Sequence, residues 1–205
     1  MKKLLYIMDP MCSWCWAFSP AIEAIQEAFP KLPVQFIMGG LAADSEAPMP
    51  KQQQQAIRSI WVSIEETTGT QFNYDFWTQC IPRRSTWRAC RAVIIAEQLI
   101  PGSAALMAHA IQHAYYLEAQ NPSDSKTLIP LAESLGINPS DFASLLDAQE
   151  SQQTLQEHMN LAKQLKVSGF PALRFFDGEK VFRVSDGYSK PDMIINNLHQ
   201  SGVSE

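Results

Sequence analysis

The chain has 205 residues, 46% of them hydrophobic and 18% charged, and a formal net charge of −5 at pH 7. This composition argues against a disordered chain, and the length suits one domain with an insertion or two small domains. The chain has no lysine or arginine tract, and no apolar run approaches the roughly 18–20 residues of a membrane span. Neither nucleic acid nor a membrane is therefore expected as its main partner.

The N-terminal segment predicts a strand, a helix and a second strand. Residues 2–8 form a nearly continuous apolar run, which is typical of a strand inside a covered sheet. Residues 13–29 have helical periodicity, and Pro20 is expected to bend or interrupt that helix near its start. Residues 34–38 read as a second strand. A strand–helix–strand succession predicts that the two strands are parallel.

Residues 41–150 show no strand pattern and predict an all-helical insertion. Helical spacing and end signals place its helices at about 57–68, 86–99, 103–117, 125–135 and 139–146, with one further turn within 71–82. Ser103 and Asn138 are the expected N-cap residues of two of them. Pro130 is expected either to lie in the first turn of its helix or to kink that helix.

The last quarter of the chain returns to a mixed pattern. A helix ends near Lys166, strands at 172–176 and 180–184 flank the turn Asp177-Gly178, and a final helix spans about 190–198. The predicted fold class is therefore α/β, with a thioredoxin-like central mixed sheet. Residues 1–40 and 151–205 are expected to form the thioredoxin-like domain, and residues 41–150 the inserted helical domain.

Two cysteines lie where the first strand ends and the first helix begins, in the box Cys12-Ser13-Trp14-Cys15. A thiolate, not a thiol, attacks a disulfide, and free N–H groups in the first helical turn would stabilise a thiolate at Cys12. Cys15, one turn further on the same face, can resolve a mixed disulfide on Cys12. Ser13 and Trp14 are the expected redox-tuning residues.

Other interpretations of the cysteine box are a zinc site and an inert pair of thiols. A structural zinc ion needs two further ligands, and Cys80 with Cys90, or His109 with His113, are the candidates. Cys80 and Cys90 do not form a second close pair, and the histidines are distant in sequence. We therefore predict no metal site, and we expect Cys80 and Cys90 to be small buried residues rather than a second redox pair.

Two further signals lie outside the box. Asp9, three residues before Cys12, is expected to shape the turn, although it could also modulate the pKa of the thiols. Four aromatic residues are expected in the core of the helical region, with a groove above the box as the alternative: Phe72, Tyr74, Phe76 and Trp77. Such a groove would suit apolar segments of substrate proteins.

The box followed by Trp16, the helical insertion, and Val167-Ser168-Gly169-Phe170-Pro171 before a hairpin together resemble the DsbA family of thiol–disulfide oxidoreductases. The resemblance is closest to the cytosolic branch that includes FrnE-like proteins, and it covers nearly the whole chain. It implies that Pro171 is a cis-proline facing the box. It also implies that the backbone of Phe170 pairs with a substrate peptide, so that Phe170 and Pro171 are the substrate-binding residues.

The sequence favours an enzyme, a protein-disulfide oxidoreductase or isomerase, that exchanges thiols and disulfides with proteins or small molecules. Such an enzyme requires no metal or organic cofactor, and glutathione is a possible reductant. Only five apolar residues follow Lys2-Lys3 before Asp9-Pro10, which is too short for a signal peptide, so a cytoplasmic protein is expected. The patterns leave open a monomer or a homodimer.

Two alternatives come from relatives that are similar in architecture. Kappa-class glutathione transferases and hydroxychromene-carboxylate isomerases look like this plan, but they carry serine where this chain has Cys12. Some cytosolic relatives with a similar box resemble adaptor proteins that deliver substrates to a protease. In that case the thiols would serve as a redox sensor or a zinc clip, and the protein would bind a partner without turnover.

Overall fold

A computed structural model describes residues 1–204 of the chain. These residues form one mixed sheet and ten helices. The strands are β1 (Lys3–Met8), β2 (Val34–Met38), β3 (Ala172–Phe176) and β4 (Val181–Asp186). The helices are α1 (Ser13–Ala17), α2 (Ser19–Ala28), α3 (Lys51–Thr68), α4 (Phe76–Gln79), α5 (Trp87–Leu99), α6 (Ala104–Tyr116), α7 (Ser125–Ser134), α8 (Pro139–Leu146), α9 (Gln149–Gln164) and α10 (Pro191–Gln200).

The strand order is β2-β1-β3-β4, so the sheet joins strands from both ends of the chain. β1 and β2 are parallel, with Leu4 opposite Val34 and Met8 opposite Met38, which confirms the prediction from the N-terminal segment. β3 is antiparallel to both β1 and β4. Because β1 lies in the middle of the sheet, it is almost completely buried. The loop after β1 therefore starts from a rigid position, and this loop leads into the cysteine box.

The predicted helix at 13–29 is interrupted, as expected from Pro20. It is divided into α1 and α2 at Phe18, which ends the first helix and begins the second. Pro20 lies in the first turn of α2, where its missing N–H costs nothing, whereas one continuous helix would place it in the interior. The break leaves α1 as a short helix that carries little besides the cysteine box.

Both predicted N-cap residues lie at the N-cap positions of their helices, but only Asn138 caps its helix with its side chain. The side chain of Asn138 accepts hydrogen bonds from the N–H groups of Ser140 and Asp141. The side chain of Ser103 caps nothing, and its buried hydroxyl has no partner. The carboxylate of Glu97 at the end of α5 accepts the hydrogen bond from the N–H of Ala104 instead, at 2.9 Å. A side chain of the preceding helix thus bonds to the first N–H group of α6.

Pro130 lies in the interior of α7, beyond its first turn. Of the two expected placements, the one in the first turn is therefore wrong. Leu128 and Ala132, two residues before and after it, are completely buried. Packing of this face against the core therefore stabilises a helix that its proline weakens.

Between residues 41 and 150 the described chain has helices, turns and one isolated bridge, between Pro48 and Arg83. One apolar cluster contains residues of the sheet, such as Tyr6 and Met8, together with residues of the helical region, such as Ile95 and Met107. The division into domains at residues 40 and 150 stays a prediction. Within residues 1–204, no helix is both long enough and apolar enough to cross a membrane.

Candidate active site

The two cysteines of the box differ sharply in exposure. Cys12 is the N-cap residue of α1, with φ −85° and ψ 115°, and its carbonyl accepts hydrogen bonds from the N–H groups of Cys15 and Trp16. Its thiol is partly exposed, whereas Cys15 is completely buried. Both are free thiols in this structure. A bulky disulfide therefore has access to Cys12 but not to Cys15.

The segment before β3 lies directly against Cys12. The thiol of Cys12 donates to the carbonyl oxygen of Phe170 at 3.7 Å, across 158 positions of sequence. The Phe170–Pro171 peptide bond is cis. The carbonyl of Pro171 accepts a hydrogen bond of 2.8 Å from the N–H of Gly187, which follows β4. The structure thus places the four residues Cys12, Cys15, Phe170 and Pro171 in one region.

Burial raises the pKa of Cys15 well above its ordinary value, and the neighbouring Cys12 raises it further. Burial also raises the pKa of Tyr6, beside Cys15. Both groups therefore stay protonated at neutral pH in the reduced protein. Cys15 is a poor nucleophile as long as its thiol remains in this environment.

Asp9 connects three segments beneath the box, and sequence reasoning missed most of this role. Its carboxylate accepts hydrogen bonds from the N–H groups of Met11 and Leu41, both at 2.8 Å, and from the Thr86 hydroxyl at 2.7 Å. The thiol of Cys90 also points at it, at 3.3 Å. The bond to Met11 confirms the expected turn. The others join residues that are distant in sequence, so no local pattern signals them.

Burial raises the pKa of Asp9 above its usual value of 3.8, although the hydrogen bond from Thr86 opposes the shift. Between pH 3.8 and the pKa of the folded state, the folded protein therefore keeps a proton on Asp9 that the unfolded chain has already released. This contribution to stability is complete below pH 3.8 and is lost as the pH rises through the pKa of the folded state.

We predict that Asp9→Asn flattens this part of the pH dependence of stability. Urea unfolding at several pH values from 4 to 8 measures it. Asp9→Asn also lowers stability at every pH, because an asparagine N–H group cannot replace the acceptor oxygens that face Leu41 and Thr86. The quantity to compare is therefore the slope of the unfolding free energy against pH. Asp177→Asn is the control: the N–H groups of Lys180 and Glu179 lower the pKa of that exposed carboxylate, so its effect on stability lies below pH 3.8 and its replacement should leave the slope between pH 4 and 8 unchanged. Equal slopes for Asp9→Asn and wild type would contradict the assignment.

Aromatic side chains flank the box on two sides. Trp14 packs against Tyr188, with ring centroids 5.7 Å apart, and both rings are partly exposed beside Cys12. Trp16 stacks on Tyr116 of α6 at 5.9 Å and 14°, and its indole N–H donates to the carbonyl of Gln71. The helical region therefore contributes to one wall of the site. No sequence signal identified Tyr188 or Tyr116.

The four aromatic residues at 72–77 belong to the core, as expected, and not to a groove. Their rings surround Trp61, which is completely buried; Phe72 and Trp77 lie closest, with centroid distances of 4.9 Å each. Tyr74 and Phe76 follow at 5.8 and 6.1 Å. The apolar wall of the site thus comes from Trp14, Trp16 and Tyr188 rather than from this cluster.

The remaining cysteines and the paired histidines bond to or pack against groups other than the two thiols of the box. Cys90 is buried, as expected, and Cys80 is half-buried with its thiol donating to the carbonyl of Ala119 at 3.0 Å. The ring of His109 faces Trp16, and His113 contacts the carboxylate of Glu118. Within the described part of the chain, no three histidine, cysteine or acidic side chains gather as a metal site would require.

A mixed sheet in the order β2-β1-β3-β4, with a dithiol at the start of the first helix and a proline segment facing it, defines the thioredoxin-like class. A family model described as a DSBA-like thioredoxin domain matches residues 5–198. The chain belongs to the family of DsbA-like thioredoxin domains.

Two solved structures are similar over nearly their whole length. A putative protein disulfide isomerase from Nitrosomonas europaea is 30% identical, with a TM-score of 0.87 over 97% of this chain and 96% of its own. The cytosolic disulfide reductase DsbM from Pseudomonas aeruginosa, also solved with GSH, is 24% identical, with a TM-score of 0.78 over 97% of this chain and 98% of its own.

A curated relative bears a different kind of name. The ClpXP adapter protein SpxH from Halalkalibacterium halodurans is 25% identical over 180 residues, which cover 85% of this chain and 58% of that protein. The chain thus matches little more than half the length of this relative.

Proposed function

We propose that this protein is a thiol–disulfide oxidoreductase that exchanges a dithiol and a disulfide at Cys12 and Cys15. The observation that carries the proposal is the pairing of a partly exposed thiol with a buried one. Cys12 lies at the N-terminus of α1 and in front of the Phe170 carbonyl, whereas Cys15 lies behind it and out of contact with solvent. This arrangement suits one attacking and one resolving sulfur. The substrates are disulfides of proteins or of small molecules.

The reaction consists of two exchange steps. The Cys12 thiolate attacks a substrate disulfide, a bond forms between Cys12 and one substrate sulfur, and the other sulfur leaves as a thiolate that takes up a proton. Cys15 then loses its proton and attacks the Cys12 sulfur, which releases the second substrate thiol. The substrate gains two electrons, and the protein ends with a Cys12–Cys15 disulfide. The same steps in reverse oxidise a dithiol.

We assign each neighbouring residue a role in this reaction. Phe170 offers a backbone carbonyl next to Cys12, where an extended peptide can pair with it, and Pro171 follows through a cis peptide bond. Trp14 and Tyr188 provide an apolar flank for a substrate segment. Ser13 and Trp14 tune the reduction potential, because they lie between the two thiols. The proposed chemistry needs no metal or organic cofactor.

We propose glutathione as the reductant and the cytoplasm as the compartment. The solved structure of DsbM with GSH, and its description as a cytosolic disulfide reductase, support both parts of this proposal. In a compartment with reduced glutathione, the dithiol form of the box would be regenerated after each turnover.

The likeness to SpxH favours a second candidate, a protein that binds a partner without turnover. In that case the box would act as a redox sensor: the oxidation state of Cys12 would follow the ratio of thiols to disulfides in the cell, and Cys12 would not process substrates. The two candidates differ in one measurable property: an enzyme releases its partner after exchange, whereas an adaptor holds it in a stable complex of fixed stoichiometry.

The reduction potential of the box tests the proposed function. We expect the protein to equilibrate with glutathione buffers at a defined potential, with the Cys12–Cys15 disulfide as the oxidised species. In parallel, Cys15→Ser is expected to accumulate mixed disulfides through Cys12, because nothing resolves them, and Cys12→Ser is the matched control that should trap none. If no disulfide forms at any glutathione ratio, or if zinc copurifies with the thiols, the oxidoreductase proposal is wrong and the adaptor becomes the better candidate.

A further inference from the structure

The end of β2 lies directly beneath the ring of Phe170. Gly39 follows β2, and its N–H donates to the carbonyl of Met8 at 2.7 Å, which continues the β1–β2 ladder by one bond. A Cβ atom built on Gly39 would lie 2.6 Å from Cε2 of Phe170 and still closer to Cζ and Cε1. The outer edge of the ring therefore rests on the bare Cα of Gly39.

Backbone conformation does not explain a glycine at this position. The φ angle of Gly39 is not positive, whereas that of its neighbour Gly40 is 62°. An L-residue can adopt the backbone of Gly39 without strain. The three atoms nearest to a Cβ at Gly39 all belong to the Phe170 ring, so we take this contact as the reason for a glycine here.

The two ends of Phe170 hold two different contacts. Its ring is seated on Gly39 and packs against the small apolar cluster that includes Leu5 and Ile37. Its carbonyl oxygen accepts the hydrogen bond from the Cys12 thiol. Because the ring lies between Gly39 and this cluster, a methyl group at Gly39 must displace it, and any displacement that the side-chain torsions cannot absorb shifts the backbone of Phe170 and its carbonyl.

We propose that Gly39 is a positioning residue for the active site: its bare Cα seats the Phe170 ring and thereby fixes the Phe170 carbonyl in front of Cys12. The proposal rests on the proposed function, because it assigns the fixed carbonyl to pairing with the backbone of a substrate peptide. It distinguishes two substrate classes. Peptide disulfides use the carbonyl and depend on Gly39, whereas a small disulfide without a peptide backbone does not.

Gly39→Ala tests the proposal against a matched control in the same region. Gly169→Ala adds the same methyl group next to Phe170, where nothing lies within 4 Å of the new Cβ atom and φ is not positive. For Gly39→Ala we expect the KM of a peptide disulfide to rise about tenfold, because a small misplacement at a reacting centre is costly. The kcat/KM for bis(2-hydroxyethyl) disulfide should change by no more than about threefold, which is the change expected in the reactivity of the Cys12 thiol itself.

The variant Phe170→Leu separates a positioning role from a folding defect. Leucine lacks the Cε and Cζ atoms that the new methyl group would meet. If Gly39 acts through the ring, Gly39→Ala adds less than about a twofold change in the Phe170→Leu background, because the two positions are coupled. An undiminished tenfold effect in that background would show that Gly39 acts by another route, and would overturn the proposal.

A second readout keeps this test independent of the proposed function. The rate of Cys12 alkylation by iodoacetamide requires no substrate, and we expect it to change about threefold in Gly39→Ala, because the thiol loses a hydrogen-bond partner. Gly169→Ala should leave the rate unchanged. If wild type exchanges neither disulfide, the proposed function fails while the alkylation comparison still decides the role of Gly39. If Gly39→Ala and Gly169→Ala are alkylated at the same rate, the positioning role is wrong.

Discussion

Replacing Cys12 with serine is expected to reduce the rate of disulfide exchange by 10³-fold or more, on the order of other lost nucleophiles. No other thiol is placed to substitute for it. Cys15 is completely buried, and its pKa is raised by that burial. Cys90 is also buried, beneath the box and against the carboxylate of Asp9. The measurement is the rate at which the protein reduces a peptide disulfide with glutathione as electron donor.

Cys80→Ser is the matched control for this loss. It exchanges the same atoms at a half-buried position whose thiol bonds to the carbonyl of Ala119, away from the box. We expect its rate to stay within about twofold of wild type. A Cys12→Ser variant that keeps more than about a tenth of the activity would show that another sulfur performs the attack.

Replacing Trp61 with alanine is expected to lower the free energy of unfolding by about 3–5 kcal/mol. Trp61 is completely buried and is the centre of the aromatic cluster in the helical region. Six rings lie with their centroids 4.9–6.1 Å from its own: those of Phe72, Tyr74, Phe76, Trp77, Tyr115 and Tyr116. The large cavity left by alanine cannot be filled by rings that are held on every side.

Ile60→Ala, one position earlier on α3, is the control for Trp61→Ala. The side chain of Ile60 is 42% exposed, so its truncation should cost less than about 1 kcal/mol. Urea denaturation of both variants at one pH measures the difference. Since Tyr116 of the cluster stacks on Trp16, Trp61→Ala should also lower disulfide exchange. Equal losses of stability in the two variants would contradict a core centred on Trp61.

Local patterns were sufficient for most of the secondary structure. Short apolar runs predicted β1 and β2, and the Asn138-Pro139 signal predicted the start of α8, because each depends on residues within a few positions. Ser103 shows where such reasoning fails. A serine before a helix is a good cap in isolation, but here the Ser103 hydroxyl bonds to nothing, and Glu97 of the preceding helix accepts hydrogen bonds from the N–H groups of Gly102 and Ala104. A single sequence gives no sign of such a contact between helices.

The residues of the candidate site also fall into two groups: those that the sequence identified and those that only the structure revealed. The spacing of Cys12 and Cys15 identified the thiols, and a family resemblance identified Phe170 and Pro171. Nothing in the sequence indicated that Asp9 would bond to Leu41 and Thr86, which lie 32 and 77 positions away. Such contacts depend on how the helical region packs on the sheet. Packing of this kind has no periodicity, so it is visible only in three dimensions.

The separation of 158 positions between Cys12 and Phe170 has a consequence for the order in which the protein is made. A nascent chain exposes both cysteines of the box early, when β3 has not yet been synthesised and β1 lacks one of its two neighbours. Closing such a long loop carries a large entropic cost, which favours late formation of the sheet. During translation the two cysteines therefore emerge from the ribosome well before Phe170, whose carbonyl faces Cys12 in the folded protein. The box gains its environment only when the last quarter of the chain has emerged.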